Sequence, residues 1–225
     1  MFILFDLDGT LVDHESAARR AAAELLKSHR DVLHFEERAF VSMWHELAEK
    51  YLRLYTEKKM TYTEQRIERM KIIYDKMGKK IGDDEALGIY KEFLGYYEKN
   101  WKLFDDVLPC LEKIYDYPKG VISNGDYKAQ VKKLKAVGIY EKFKTVVTSE
   151  LAGLPKPDPY IFKSTCEKAG EKPGDSVYIG DKLMSDARGA KDAGLRGIWL
   201  DRKNESLGIE GVEVIKSLDE LIGVL

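Results

Sequence analysis

Phe2-Ile3-Leu4-Phe5-Asp6-Leu7-Asp8-Gly9-Thr10-Leu11 is the stretch on which the reading of the chain turns. Four consecutive apolar residues without polar alternation suit a strand covered on both faces, as in a parallel sheet. The run stops at Asp6, and the glycine after Asp8 lets the backbone turn sharply. Two carboxylates, two positions apart, therefore leave the end of a first strand. Similar short apolar runs return late in the chain, at 120–122, 145–147, 177–179 and 197–200. The stretches 126–137, 159–168 and 184–193 between or after them are long enough for helices, and 217–222 reads as a last one. Strand and helix in alternation predict a doubly wound, Rossmann-like α/β core with a parallel sheet.

That alternation disappears between residues 14 and 100. Trp44, Leu47, Ala48, Tyr51, Leu52 and Tyr55 recur at helical spacing and are read as one packing stripe. Thr61-Tyr62-Thr63-Glu64 has the form of a capping box and starts another helix. Gly78 and the 82–84 cluster mark a break before a helix over 85–97. The expected organisation is thus a core of residues 1–13 and 101–225, interrupted by an all-helical insert of four helices or so at 14–100. The insert carries seventeen basic against sixteen acidic residues, which describes a solvated helical surface. Its four histidines (His14, His29, His34, His45) match no zinc spacing. Arg66 and Arg69, three apart on one expected helix, could meet a substrate carboxylate or a second phosphate, but are read instead as ordinary surface residues.

Composition narrows the function. The 225 residues carry a net charge of −2, which gives no overall field toward nucleic acid or anionic lipid. No apolar run approaches the length of a signal peptide's core or a membrane span. Two cysteines make no disulfide framework, and a reducing cytoplasm is the expected compartment. Twenty-seven lysines against five Asn and Gln together suit an ion-pair-rich surface of the kind thermophiles favour.

Four strand ends carry the chemistry. The first supplies Asp6, Asp8 and Thr10. The second supplies Ser123-Asn124-Gly125, whose hydroxyl, amide and backbone N–H groups can hold an anionic oxygen. The third is Lys156, fixed at a defined angle by Pro155 and Pro157. The fourth is Gly180-Asp181 with Asp186, ahead of a helix closely packed on the sheet. Each alone has an ordinary reading as turn or cap; together, in order, they do not. A cluster of oxygen ligands suits Mg²⁺, which takes one or two carboxylates plus substrate phosphate and keeps several waters. Carboxylates alone would repel a phosphate, so the metal and Lys156 offset that charge. A carboxylate can then attack phosphorus and form an aspartyl-phosphate, while a neighbour handles the proton.

These four motifs in this order resemble the haloacid dehalogenase superfamily, in its phosphatase branch with a helical cap after the first motif. The resemblance covers residues 1–13 and about 104–200, and the cap by position and helical character. It implies a phosphoric monoester hydrolase acting on small phosphorylated metabolites, a monomer or homodimer. Asp6 would be the nucleophile and a metal ligand. Asp8 would be the general acid and base, lending its backbone carbonyl to the metal. Ser123 and Asn124 would hold phosphoryl oxygens, Lys156 would neutralise nucleophile and phosphate, and Asp181 would bind the metal directly. Asp186 would act there too, or through a water or Lys156. Lys182 departs from the small polar residue often found after Gly180-Asp181 and is read as turned to solvent. 2-Haloacid dehalogenases attack carbon and lack the second aspartate, here Asp8. A phosphomutase shares the Asp-x-Asp pair and stays open, as does a non-catalytic protein that kept the fold.

Overall fold

The computed structural model describes residues 1–57, 59–204 and 211–225. In chain order it contains β1 (Phe2–Phe5), α1 (His14–Ser28), α2 (Glu37–Thr56), α3 (Tyr62–Asp75), α4 (Asp83–Lys99) and α5 (Val107–Lys113). Next come β2 (Lys119–Ser123), α6 (Tyr127–Ala136), β3 (Thr145–Thr148), α7 (Ser149–Ala152), α8 (Pro159–Ala169) and β4 (Ser176–Gly180). A π-helical stretch (Leu183–Arg188), α9 (Gly189–Asp192), β5 (Arg196–Leu200), β6 (Glu213–Ile215) and α10 (Leu221–Val224) complete it. The chain divides into two compact units, Met1–His14 with Trp101–Leu225, and Glu15–Asn100.

The first unit is built on a six-stranded sheet of order β3-β2-β1-β4-β5-β6, every pairing parallel. The apolar runs explain it, because strands buried on both faces need no polar side. Alternation splits each strand between two cores. Ile3, Phe5, Val121, Val177 and Ile179 face α5, α6 and α10 through Cys110, Leu111, Leu134 and Leu221. Phe2, Leu4, Ile122 and Tyr178 face α8 and α9 through Ile161, Phe162, Cys166 and Ala190. The helix expected over 184–193 is instead a π-helical stretch continued by α9. It packs closely on β4 at Gly180, where a Cβ would stand 2.4 Å from Asp186 Cγ. The expected helix over 217–222 is a 3₁₀ turn (Leu218–Glu220) followed by α10.

The second unit is wholly helical among its described residues. Its core joins Leu25 and Leu26 of α1, Phe40 and Trp44 of α2, Met70, Ile73 and Tyr74 of α3, and Ile89 and Phe93 of α4. α3 starts as expected. Thr61 Oγ1 accepts from the Glu64 N–H at 3.1 Å, and Glu64 accepts from the Thr61 N–H at 2.6 Å. The stripe on α2 is narrower than its spacing suggests: Trp44 and Tyr51 are buried, whereas Leu52 and Tyr55 are exposed. The buried line runs Phe40, Trp44, Tyr51; Leu52 lies round the helix from it, whereas Tyr55 continues the same face one turn beyond Tyr51 and is exposed there. Arg69 corrects the surface reading, being only 5% exposed. Its guanidinium lies over the Trp44 and Tyr90 rings, which shelter it from water.

Candidate active site

The order of strands reverses its direction of growth at β1 and β4, and open α/β sheets place ligands beyond the strand ends at such a point. Asp6 follows β1 directly. Its N–H donates to the Ile179 carbonyl at 2.8 Å, so pairing with β4 holds the backbone one residue past the strand. Gly9 then turns at φ 92°, in the left-handed region that favours glycine, and a Cβ there would stand 2.5 Å from Asp181 Oδ2. The carboxylate of the fourth motif is therefore seated against the backbone of the first.

Lys156 is the hub of the site. Its Nζ lies 2.5 Å from Asp6 Oδ1, 2.7 Å from Asp186 Oδ1 and 2.7 Å from the Tyr178 hydroxyl. All three of an ammonium's donors are thereby used. Burial opposes the Lys156 charge, but Asp186 and Asp6 outweigh it and hold the ammonium above its ordinary range. The Tyr178 hydroxyl in turn donates to the Ile122 carbonyl at 3.0 Å. Asp186 Oδ2 accepts from the Lys182 N–H at 2.9 Å. The Lys182 side chain is 65% exposed, and its Nζ stands 3.8 Å from Asp181 Oδ2, so it both faces solvent and sets a second cation beside that carboxylate.

One oxygen each from Asp6, Asp181 and Asp186 lies within 4.8 Å of the others. Burial pushes the Asp6 carboxyl well above its ordinary range; Lys156 opposes this, and Asp186 and Asp181 add to it. Burial and then Asp186 push Asp181 the same way, against Lys182 and Lys156. Three carboxylates around one buried ammonium leave negative charge uncompensated, and a divalent cation with oxygen ligands fits that deficit.

Asp8 points elsewhere. Its carboxylate accepts from Lys133 Nζ at 2.6 Å and from Gln130 Nε2 at 2.9 Å, both from α6. Burial alone would raise its pKa; Lys133, His14 and the hydrogen bonds from Lys133 and Gln130 win and hold it at about 2. The Asp8 side chain is thus outside the acidic trio of Asp6, Asp181 and Asp186.

The expected phosphate-binding residues divide. The Ser123 hydroxyl accepts from Gln130 Nε2 at 2.9 Å and keeps its own proton to donate. Thr10 Oγ1 lies 3.5 Å from Asp181 Oδ1. Asn124 is committed differently: its amide donates to the Lys156 carbonyl at 3.1 Å and accepts from the Lys156 N–H at 2.8 Å. It staples the second motif to the third. The Gly125 N–H, expected to be free, donates to Ser149 Oγ at 2.8 Å. Tyr178, Gln130 and Lys133 were not singled out from sequence. A hydroxyl inside an otherwise aliphatic central strand is the signal Tyr178 carried, since a buried tyrosine needs a partner.

A buried lysine thus holds two aspartates, with a third beside them, at the switch point of a parallel sheet where the four motifs converge. The chain belongs to the haloacid dehalogenase-like hydrolases, whose family pattern matches residues 1–194. The mouse (Mus musculus) N-acylneuraminate-9-phosphatase is 28% identical over 89% of this chain and 82% of its own length. The glyceraldehyde 3-phosphate phosphatase of Methanothermobacter thermautotrophicus is 30% identical over 88% and 84%. The Bacillus subtilis HAD-hydrolase YfnB, crystallised with magnesium, superposes with a TM-score of 0.83 at 23% identity, covering 100% of this chain and 97% of that one. The chain is an enzyme, a phosphatase of this family.

Proposed function

We propose that the protein is a Mg²⁺-dependent phosphatase of small phosphorylated metabolites that works through an aspartyl-phosphate on Asp6. The observation that carries this reading is the buried contact of Lys156 with Asp6 and Asp186, with Asp181 adjoining. Lys156 binds one oxygen of Asp6, leaving Oδ2 without a donor among the described residues and free to attack phosphorus. The bond from phosphorus to the leaving oxygen breaks, and Asp8 supplies that oxygen with a proton. Asp8 then takes a proton from water, which attacks phosphorus and breaks the Asp6–phosphorus bond. Lys133 holds Asp8 as an anion at rest, so its first proton arrives with the substrate or once its carboxylate leaves Lys133. Ser123 and Thr10 donate to phosphoryl oxygens. Asp6, Asp181, the Asp8 carbonyl and Asp186, directly or through water, would hold Mg²⁺, which would supply positive charge against the phosphate when bound.

The named substrates of the two phosphatase relatives are small phosphorylated compounds, which supports the substrate class. The proposed enzyme is cytoplasmic and monomeric or homodimeric; no helix among the described residues is long and apolar enough to cross a membrane. The helical unit is assigned the choice of substrate. The test is phosphate release from a panel of phosphomonoesters, including p-nitrophenyl phosphate, nucleotides and sugar phosphates, with Mg²⁺ and with chelator. Release that requires Mg²⁺ is expected. Silence across the panel from folded, Mg²⁺-supplemented protein overturns the reading.

A further inference from the structure

Two arginines of α3 lie on aromatic rings instead of pairing with acids. The Arg66 guanidinium carbon is 4.1 Å from the Tyr62 ring centre and 5.1 Å from that of Tyr90. The Arg69 carbon is 4.8 Å from the Trp44 ring centre and 5.5 Å from that of Tyr90. Tyr90 therefore neighbours both cations. Nε of each arginine is buried without a hydrogen-bond partner. Among the described residues neither guanidinium forms an ion pair with a carboxylate.

A ring face attracts a cation but neutralises no charge, and two like charges sharing one ring repel. Burial lowers the Arg69 pKa, Arg66 acts in the same direction, and Tyr90 opposes them. Ordinary surface arginines avoid such a setting by turning to water or to an acid; Arg69, 5% exposed, does neither. The missing element is an anion. Guanidinium N–H donors form a planar fork that matches a carboxylate's two oxygens, and aromatic walls fix the plane of the fork. We infer that Arg66 and Arg69, walled by Trp44, Tyr62 and Tyr90, form a binding site in the helical unit for the carboxylate of a small organic acid. The acid is either the tail of a phosphorylated substrate or a separate ligand. Only the first link to catalysis rests on the phosphatase reading.

The test titrates the full, Mg²⁺-loaded chain with D-glycerate and D-gluconate by calorimetry, with glycerol as the neutral control. At least one acid is expected to bind one to one while glycerol gives no signal. Arg66→Gln and Arg69→Gln each weaken that binding by about tenfold or more. Arg69→Lys, which keeps the charge and loses the fork, falls between. If Arg69→Gln does not fold, the less buried Arg66→Gln decides. Absence of binding by both acids, or equal affinity in wild type and Arg66→Gln, overturns the site and leaves the arginines as a ladder joining α2, α3 and α4. Hydrolysis identifies the source of the acid. A preference for 3-phosphoglycerate over glycerol 3-phosphate that Arg66→Gln removes supports a substrate tail; acid binding without that preference supports a separate ligand. No release from these esters or p-nitrophenyl phosphate counts against the proposed reaction alone, because glycerate and gluconate binding needs no turnover.

Discussion

Lys133 Nζ stands 2.6 Å from Asp8 Oδ1, on a helix that reaches the first motif across more than a hundred residues of sequence. Gln130, one turn earlier on α6, holds the other oxygen of Asp8 and also the Ser123 hydroxyl. One face of α6 therefore sets both the proposed proton carrier and the proposed phosphate donor. A Lys–carboxylate contact this sheltered lowers the acid's pKa because the ammonium favours its charged form.

Lys133→Met tests that coupling through stability. With its folded pKa at about 2, below the ordinary carboxylate value, ionised Asp8 stabilises the fold above about pH 4. That stability is lost as pH falls from about 4 through about 2. Linkage puts it at about 2 kcal/mol, an order-of-magnitude value. Urea denaturation at a series of pH values should show a drop over this window in wild type and a much smaller one in the variant. Parallel curves for the two proteins would reject the contact as the cause.

Asp6→Asn should abolish turnover, by at least about a thousandfold, because an amide is no nucleophile toward phosphorus. The fold should survive. Asp6 is a carboxylate whose pKa is raised by burial and by two acidic neighbours, so removing its charge lessens repulsion while losing the Lys156 contact. Metal-free protein is expected to melt at the wild-type temperature or above it. Near wild-type turnover would dismiss the nucleophile assignment.

Magnesium should stabilise the chain independently of activity. At about a hundredfold over Kd, a ligand specific for the folded state adds about 2.7 kcal/mol. For a chain of this size that is about 5–10 °C in Tm. Asp181→Ala removes one of the three proposed acidic ligands and should cut the shift to near zero at the same concentration. A shift of wild-type size in this variant would remove Asp181 from the metal site.

The legible parts of this protein share a physical reason. Asp6, Lys156 and Asp181 stand at strand ends or beside prolines, where short-range patterns fix the backbone, and Asp186 lies in the π-helical stretch that follows Asp181. The buried strands announce themselves because both faces are apolar. β6 does not, since a three-residue edge strand that begins with the half-buried Glu213 carries no apolar run. Gln130 and Lys133 escaped notice because a lysine-rich helix reads as solvated, and only the fold shows which of its polar residues turn inward. Arg69 escaped for the opposite reason: pattern reasoning sends charge to water, whereas two aromatic rings from α2 and α4 receive it here.

Lys156→Met should be the most disruptive substitution at the site. It leaves Asp6 and Asp186 buried beside Asp181 with no ammonium, and breaking a buried pair from one side costs about 3–5 kcal/mol. Asp6 and Asp181 already have raised pKa values, so acidification protonates them first and should recover part of the loss. Denaturation of metal-free protein at neutral pH and near pH 5 measures this. A penalty unchanged or larger at the lower pH would refute the charge argument.

Arg202 tethers the turn that follows Asp8. Its Nη2 donates to the Thr10 carbonyl at 2.9 Å, while the guanidinium grips Asp106 through both oxygens at 2.7 and 2.9 Å. Asp106 is also held by the Leu218 N–H at 2.8 Å and the Ser217 hydroxyl at 2.9 Å, which anchors the clamp to the end of the chain. Arg202→Met should destabilise the fold by about 3 kcal/mol, because it leaves the Asp106 charge without its cation. The double variant Arg202→Met, Asp106→Leu removes both charges and should regain most of that stability. It does not return a donor to Thr10, so the turn carrying Asp8 and Gly9 stays untethered. The double variant is therefore expected to have near wild-type stability and a reduced kcat, with loss of about tenfold for a small displacement of the proposed acid. Urea denaturation and steady-state kinetics on the same samples separate the two effects. Wild-type kcat in the double variant would show that the clamp serves the fold alone.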